Sequence, residues 1–158
     1  MQALFTYAPK ASWPEPTRNS IRTAQNLAKL LTDNQSDIKP LHGDLHHDNI
    51  RMSARGYLAF DAKGLIGDPA YDLANAFLNP MDAPDIVADL SRVQQMAAIF
   101  AAVTQMPAAR LLDWAIAHCA LTLAWKDAAL PDVTMLDLLM HARSVCGDRN
   151  LCIAEFNL

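Results

Sequence analysis

From Asp68 to Asp148 the chain repeats one pattern: apolar residues at intervals of three and four, cut into blocks by Pro84, Pro107 and Pro131. That spacing lines apolar side chains along one face of a helix, and proline is tolerated only in a helix's first turn, where its missing N–H costs nothing. "PDIVADLSRVQQMAAIFAAVTQ", "PAARLLDWAIAHCALTLAWKDAAL" and "VTMLDLLMHARSVCGD" therefore read as three helices. "DPAYDLANAFL" adds another, opened by an aspartate able to cap and a proline at the first helical position. Upstream, "TRNSIRTAQNLAKLLTD" spaces Ile21, Ala24, Leu27, Leu30 and Leu31 in the same way. Apolar helix faces must bury one another, so a helical body over 68–147 is expected. Trp114 and Trp125 fall on it as core, and His118 and His141 as structural histidines.

Between these helical stretches the period changes. "NIRMS" and "GYLAF" alternate like strands around Ala54, Arg55 and Gly56, predicting a β-hairpin over 49–61. With a three-residue turn and Gly56 at positive φ, Ser53 pairs with Tyr57, Ile50 with Phe60, and Asn49 faces Asp61. Directly opposed residues lie roughly 5 Å apart at Cα, so one amide and one carboxylate can share a hard cation. Asp44, five residues before Asn49, adds a second carboxylate to that corner. Such a set suits Mg²⁺, which completes its shell with water and phosphate oxygens.

Composition narrows the class. A chain of 158 residues with 52% apolar content can bury one sizeable core, and no repeat or linker divides it, so 1–158 reads as a single domain. The formal net charge of −4 offers no positive field for nucleic acid or an anionic membrane, and no apolar run is long enough to cross a bilayer. "MQALFTYAPKASWPEP" lacks a basic segment followed by an apolar one, and Cys119, Cys146 and Cys152 are odd in number without C-x-x-C spacing. Reduced thiols and a cytoplasmic location are the expectation.

The segment "HGDLHHDN" has the spacing of the kinase catalytic loop H-x-D-x-x-x-x-N, and Asp61 in "FDAKG" stands where the kinase metal-binding aspartate follows it. With its continuation "GLIGDPAYDLANAFLNP", the stretch from His42 to Pro80 resembles the aminoglycoside phosphotransferase family, within it the streptomycin 6-kinase and hydroxyurea kinase branch. The resemblance implies a mainly α chain with a small β-hairpin, the C-terminal lobe of a protein-kinase-like fold, acting in ATP- and Mg²⁺-dependent phosphoryl transfer to a hydroxyl of an antibiotic. It makes Asp44 the catalytic, hydroxyl-orienting carboxylate, and Asn49 and Asp61 the Mg²⁺ ligands. His46 occupies a position where such kinases often carry a phosphate-facing lysine. Asp72 and His42 become braces of the loop. Asp68 is either a helix cap or part of that support, and Lys63, in a "DPKG"-like segment with Ala62 at the proline position, lies near the phosphates. Asp113, Asp127 and Asp132 become candidates to line a pocket for a cationic aminoglycoside.

Two parts of a kinase site do not occur in this sequence: none of the five glycines forms G-x-G-x-x-G, and no strand lysine precedes the loop in the expected context. The catalytic loop also comes early. The expectation is therefore a chain without the N-terminal lobe and without nucleotide-binding residues from it, weakly active or inactive alone, whose uncovered apolar face drives self-association. Two alternatives remain open. One is a non-catalytic binding module of the same fold. The weaker is a zinc metallohydrolase built on His42, Asp44, His46 and His47, although H-x-D-x-H-H is not a common zinc signature.

Overall fold

In the computed structural model of the protein, residues 1–146 are described; Gly147, at the end of the expected helical body, and Cys152 lie outside the described residues. The organising element is α5 (Ala108–Lys126). Leu111, Leu112 and the unbroken run from Trp114 to Leu121 are all buried. A helix with one covered face buries every third or fourth residue; burial of every consecutive position means that α5 is surrounded. It packs against α2 (Glu15–Asp33), α4 (Leu90–Thr104), α6 (Thr134–Cys146) and a 3₁₀ segment, Pro69–Leu78. Ala115, Ala117 and Ala120 allow these neighbours close approach. An unexpected short helix, α1 (Gln2–Thr6), buries Leu4 and is docked by Gln25, whose Nε2 donates to the carbonyls of Leu4 (2.9 Å) and Tyr7 (2.6 Å).

The expected helices are present with three differences. The 84–105 block divides into α3 (Pro84–Val87) and α4, because the Asp89 carboxylate accepts from Arg92 N at 2.6 Å and so starts a new helix. "PAYDLANAFL" is 3₁₀ rather than α, although Asp68 caps it as expected, accepting from Ala70 N at 3.0 Å. Trp125 does not join the core: it lies near the end of α5 and is 61% exposed, whereas Trp114 is buried. His118 is buried with Nδ1 3.2 Å from the Tyr71 hydroxyl, and burial pushes its pKa down to about 4. His141 is exposed. Cys119 and Cys146 are free thiols, and burial pushes Cys119 up to about 12, which makes it unreactive. Among the described residues no helix is long and apolar enough to cross a membrane.

Two small antiparallel sheets are present where one hairpin was expected. β1 (Lys39–Leu41) pairs with β4 (Leu65–Gly67), Leu41 opposite Leu65, and this two-stranded clasp brackets everything from His42 to Gly64. The hairpin itself is β2 (Ile50–Ser53) and β3 (Gly56–Ala59), but its register differs by one residue from expectation: Ser53 pairs with Gly56 and Ile50 with Ala59. The cause is Ser53, whose hydroxyl donates to Gly56 O (2.9 Å) and accepts from Arg55 N (3.1 Å), closing the turn on Ala54 and Arg55 alone. Gly56 still supplies the positive φ, 94°. Asn49 therefore meets Phe60, whose N–H donates to its carbonyl at 3.0 Å, and Asp61 follows at a left-handed φ of 63°. Ile50, Met52, Tyr57, Leu58 and Phe60 are exposed on this hairpin.

Candidate active site

The loop between β1 and the hairpin is folded by backbone and carboxylate contacts. Lys63 N donates to His42 O at 2.7 Å, extending the clasp by one bond so that the incoming and outgoing chains leave it side by side. Gly43 turns the chain at φ 79°, which strains any other residue, and a Cβ there would stand 2.8 Å from Leu65 Cδ1 and displace that side chain. Asp72, on the 3₁₀ segment, holds this turn in a two-pronged grip: its Oδ2 accepts from His42 N (2.8 Å) and its Oδ1 from Gly43 N (2.7 Å). The His42 ring spans the loop, with Nε2 2.7 Å from Phe60 O and Nδ1 accepting from Asp44 N at 3.3 Å. Both ring nitrogens are thus spent on backbone groups, which removes His42 from any metal set.

Asp44 emerges from this frame about one-third exposed. Its Oδ1 accepts from Asn75 Nδ2 at 2.9 Å, its backbone carbonyl accepts from Asn49 Nδ2 at 2.9 Å, and Lys63 Nζ lies 3.6 Å from Oδ2. His46 Nε2 is 3.8 Å from Oδ1. Asn75 had no place among the candidate residues, yet it orients the central carboxylate. In a 3₁₀ helix side chains at i and i+3 eclipse, so Asp72 and Asn75 project together at the loop. Asn79 in turn donates to Asn75 O at 2.9 Å. The sequence signal was the polar pair three residues apart in an otherwise apolar "YDLANAFL".

Asp61 and Lys63 complete the cluster. Lys63 Nζ is 2.6 Å from Asp61 Oδ2, and this hydrogen bond holds the Asp61 carboxyl below the usual carboxylate range while raising Lys63. The same ammonium joins Asp44 and Asp61, so both carboxylates face one point occupied by positive charge. Asn49 is buried and spends its Nδ2 on the Asp44 carbonyl, leaving Oδ1 without a hydrogen-bond partner among the described residues. Two carboxylates and one amide oxygen are the hard donors that Mg²⁺ takes, so the residues present fit that ion.

Asp68 does not join this group. It is 2% exposed, caps Ala70 and pairs with Arg110, while its own N–H donates to Gln35 Oε1 at 3.0 Å. Asp113 is engaged by Arg143 at 2.7 Å, and Asp132, two residues before α6 begins, accepts from the Thr134 hydroxyl (2.6 Å) and N–H (3.0 Å). Asp127 is exposed, 4.0 Å from Lys10.

The model of the aminoglycoside/hydroxyurea antibiotic resistance kinase family matches residues 2–129. The chain belongs to this family. It is 38% identical over 111 residues to a streptomycin 3''-kinase of Klebsiella pneumoniae, an alignment that covers 67% of this chain and 41% of that kinase. The chain thus spans less than half the length of the curated relative it matches. No solved structure matches it at comparable stringency. A helical body with two small antiparallel sheets is consistent with part of a kinase-like fold, and the residues that grip, carry and surround Asp44 all lie within the portion matched to this kinase family.

Proposed function

We propose that the chain carries the acceptor-side half of a phosphotransferase site that transfers the γ-phosphoryl group of ATP to a hydroxyl of an aminoglycoside of the streptomycin class, or to hydroxyurea, and so confers antibiotic resistance. The observation that carries this reading is the Asp44 carboxylate: presented by a loop that Asp72 grips, oriented by Asn75 and joined to Asp61 through the Lys63 ammonium. An acceptor hydroxyl hydrogen-bonded to Asp44 is held in line and gives up its proton there as the new O–P bond forms and the bond from the γ-phosphorus to the β–γ bridging oxygen breaks, releasing ADP. Asn49 and Asp61 would hold Mg²⁺, which when bound neutralises charge on the phosphate oxygens. Lys63, and His46 when protonated, add positive charge on the same side. Asp72 and His42 keep the loop's shape, and Asp68 acts on the fold rather than on substrate. Negative net charge favours a cationic substrate, and dependence on ATP favours the cytoplasm.

No G-x-G-x-x-G occurs among these 158 residues, and in our reading the nucleotide's cover is supplied by an N-terminal lobe that packs over the exposed apolar hairpin. On their own, these 158 residues self-associate through that face; a concentration-independent monomer in light scattering refutes this part. The test of the function is transfer of label from γ-labelled ATP to streptomycin or hydroxyurea, by the chain alone and with a family N-lobe fused ahead of it. Asp44→Ala is expected to lower transfer by about 10²–10⁴-fold. Transfer that survives Asp44→Ala overturns the assignment, and a fused protein that binds ATP without transfer favours the binding-module alternative.

A further inference from the structure

His46, His47 and Asp48 lie beside the site just described and take no part in its hydrogen bonds beyond the approach of His46 to Asp44. His46 is extended (φ −145°, ψ 172°) and leads into a single 3₁₀ turn, His47–Asn49, closed by Asn49 N donating to His46 O at 3.0 Å. This backbone folds three consecutive side chains onto one point. One donor atom from each lies within 4.8 Å of the other two. His47 Nε2 is 3.4 Å from Asp48 Oδ1, and His46 Nδ1 is 3.6 Å from Asp48 Oδ2. Ligands around a tetrahedral zinc, at about 2.0–2.1 Å from the ion, stand about 3.3–3.4 Å apart; each imidazole already approaches one Asp48 oxygen at close to that spacing, and rotation of the exposed His47 and Asp48 side chains would draw the rest of the set together.

Two further observations single out His46. Its Nδ1 is shielded from solvent yet hydrogen-bonded to nothing, a group that costs stability unless something occupies its lone pair. Its other nitrogen, Nε2, faces the Asp44 carboxylate at 3.8 Å. Metal-bound histidines characteristically direct their second ring nitrogen at a carboxylate, which fixes the tautomer and leaves the first nitrogen free to ligate. His47 and Asp48 are exposed and able to close around an arriving ion.

We propose that His46, His47 and Asp48 form a transition-metal site, selective for Zn²⁺ over Mg²⁺, whose occupancy acts on Asp44 through His46. Two imidazoles and one carboxylate favour a borderline ion over a hard one and leave a fourth position for water. The site is separate from the Asp44, Asn49 and Asp61 oxygens. Its effect on phosphoryl transfer rests on the reading of Asp44 given above: an ion on Nδ1 makes the Nε2–H facing Asp44 Oδ1 more positive and so lowers the basicity of the carboxylate that takes the acceptor proton. Zinc is therefore an inhibitor of transfer, not a cofactor.

The test is calorimetric titration of Zn²⁺ into the full chain in millimolar Mg²⁺. One ion per chain is expected, with binding weakened at least about tenfold in His47→Ala and in Asp48→Ala and unchanged in Asp61→Asn. Far-ultraviolet circular dichroism verifies that the variants are folded, and His47→Gln repeats the test with a similar shape. Absence of stoichiometric Zn²⁺ binding, or binding unaffected by both alanine variants, overturns the site. In a transfer-competent protein, zinc inhibition present in the parent and absent in His47→Ala supports the coupling; inhibition that persists in His47→Ala overturns it. If zinc binds as expected and no transfer occurs in any context, the site stands and the phosphotransferase reading falls.

Discussion

Replacing Asp68 separates what one buried carboxylate does in two capacities. Its Oδ1 caps the 3₁₀ segment through Ala70 N, and its Oδ2 receives Arg110 Nη2, a guanidinium that also reaches Asn34 O at 3.3 Å. Asp68→Asn keeps a competent cap but removes the charge. The loss is that of a hydrogen bond between charged groups, about 2 kcal/mol, held to the lower end because Arg110 is 27% exposed and regains water. Asp68→Ala loses the cap as well, about 1 kcal/mol more, for a total of about 3 kcal/mol. With a urea slope of about 2 kcal/mol/M, the unfolding midpoints fall by about 1 M and 1.5 M. Arg110→Met, which strands the buried Asp68 charge, is expected to cost more than Asp68→Asn, and Asp68→Asn introduced into it recovers stability. Equal midpoints for Asp68→Asn and Asp68→Ala refute the capping argument; shifts below about 0.2 M in both refute the buried pair.

Asn75→Ala frees the Asp44 carboxylate from its orienting amide and is expected to lower the rate of phosphoryl transfer about tenfold with little change in substrate KM; an equal rise in KM would instead indicate a binding role. Gly43→Ala forces a side chain into Leu65 at a positive φ, and is expected to destabilise the protein by about 1–3 kcal/mol in urea titration; a neutral result overturns the close packing of the loop on β4. His118 is buried neutral with a pKa of about 4, below its unfolded value of about 6.5, so the unfolded chain takes up the proton first. Stability should hold above about pH 6.5, fall by about 2.5 kcal/mol between pH 7 and pH 4.5, and level off below pH 4, and this component should vanish in His118→Gln; identical pH profiles for the two proteins refute it.

Much of the fold and part of the site is legible in the amino-acid order. The helices are marked by apolar spacing and proline punctuation, and the loop by the spacing of His42, Asp44 and Asn49 against Asp61. The β1–β4 clasp is not legible, because strands of three residues show no period and its partners are separated by the whole site loop. The break before α4 is hidden because Asp89 interrupts a continuous apolar pattern with a side-chain cap rather than with a proline. The exposure of Trp125 is hidden because periodicity indicates which face a residue occupies, not how far along a helix the covering neighbours extend.

The hairpin shows how a small local interaction changes a geometric argument. Counting from a three-residue turn sets Asn49 opposite Asp61, but the Ser53 hydroxyl closes the turn one residue earlier and Phe60 takes that place. Asp61 still reaches the neighbourhood of Asp44, through the left-handed turn at Asp61 itself and the shared Lys63 ammonium.

What the sequence determined by itself is local: where the proline-marked helices start, which residue must be glycine in the hairpin turn, and which carboxylate, amide and amine side chains the loop has to offer. Those properties depend on neighbours a few bonds away, and periodicity and motif spacing record them directly. What only the tertiary structure decided is which of those groups meet. Asp72 and Asn75 act on a loop some thirty residues upstream because the 3₁₀ segment eclipses their side chains and α5 holds that segment against the clasp. Asp68, at the head of the same segment, turns instead toward Arg110 and leaves the site. Likewise the consecutive His46, His47 and Asp48 converge only because one extended residue is followed by one tight turn.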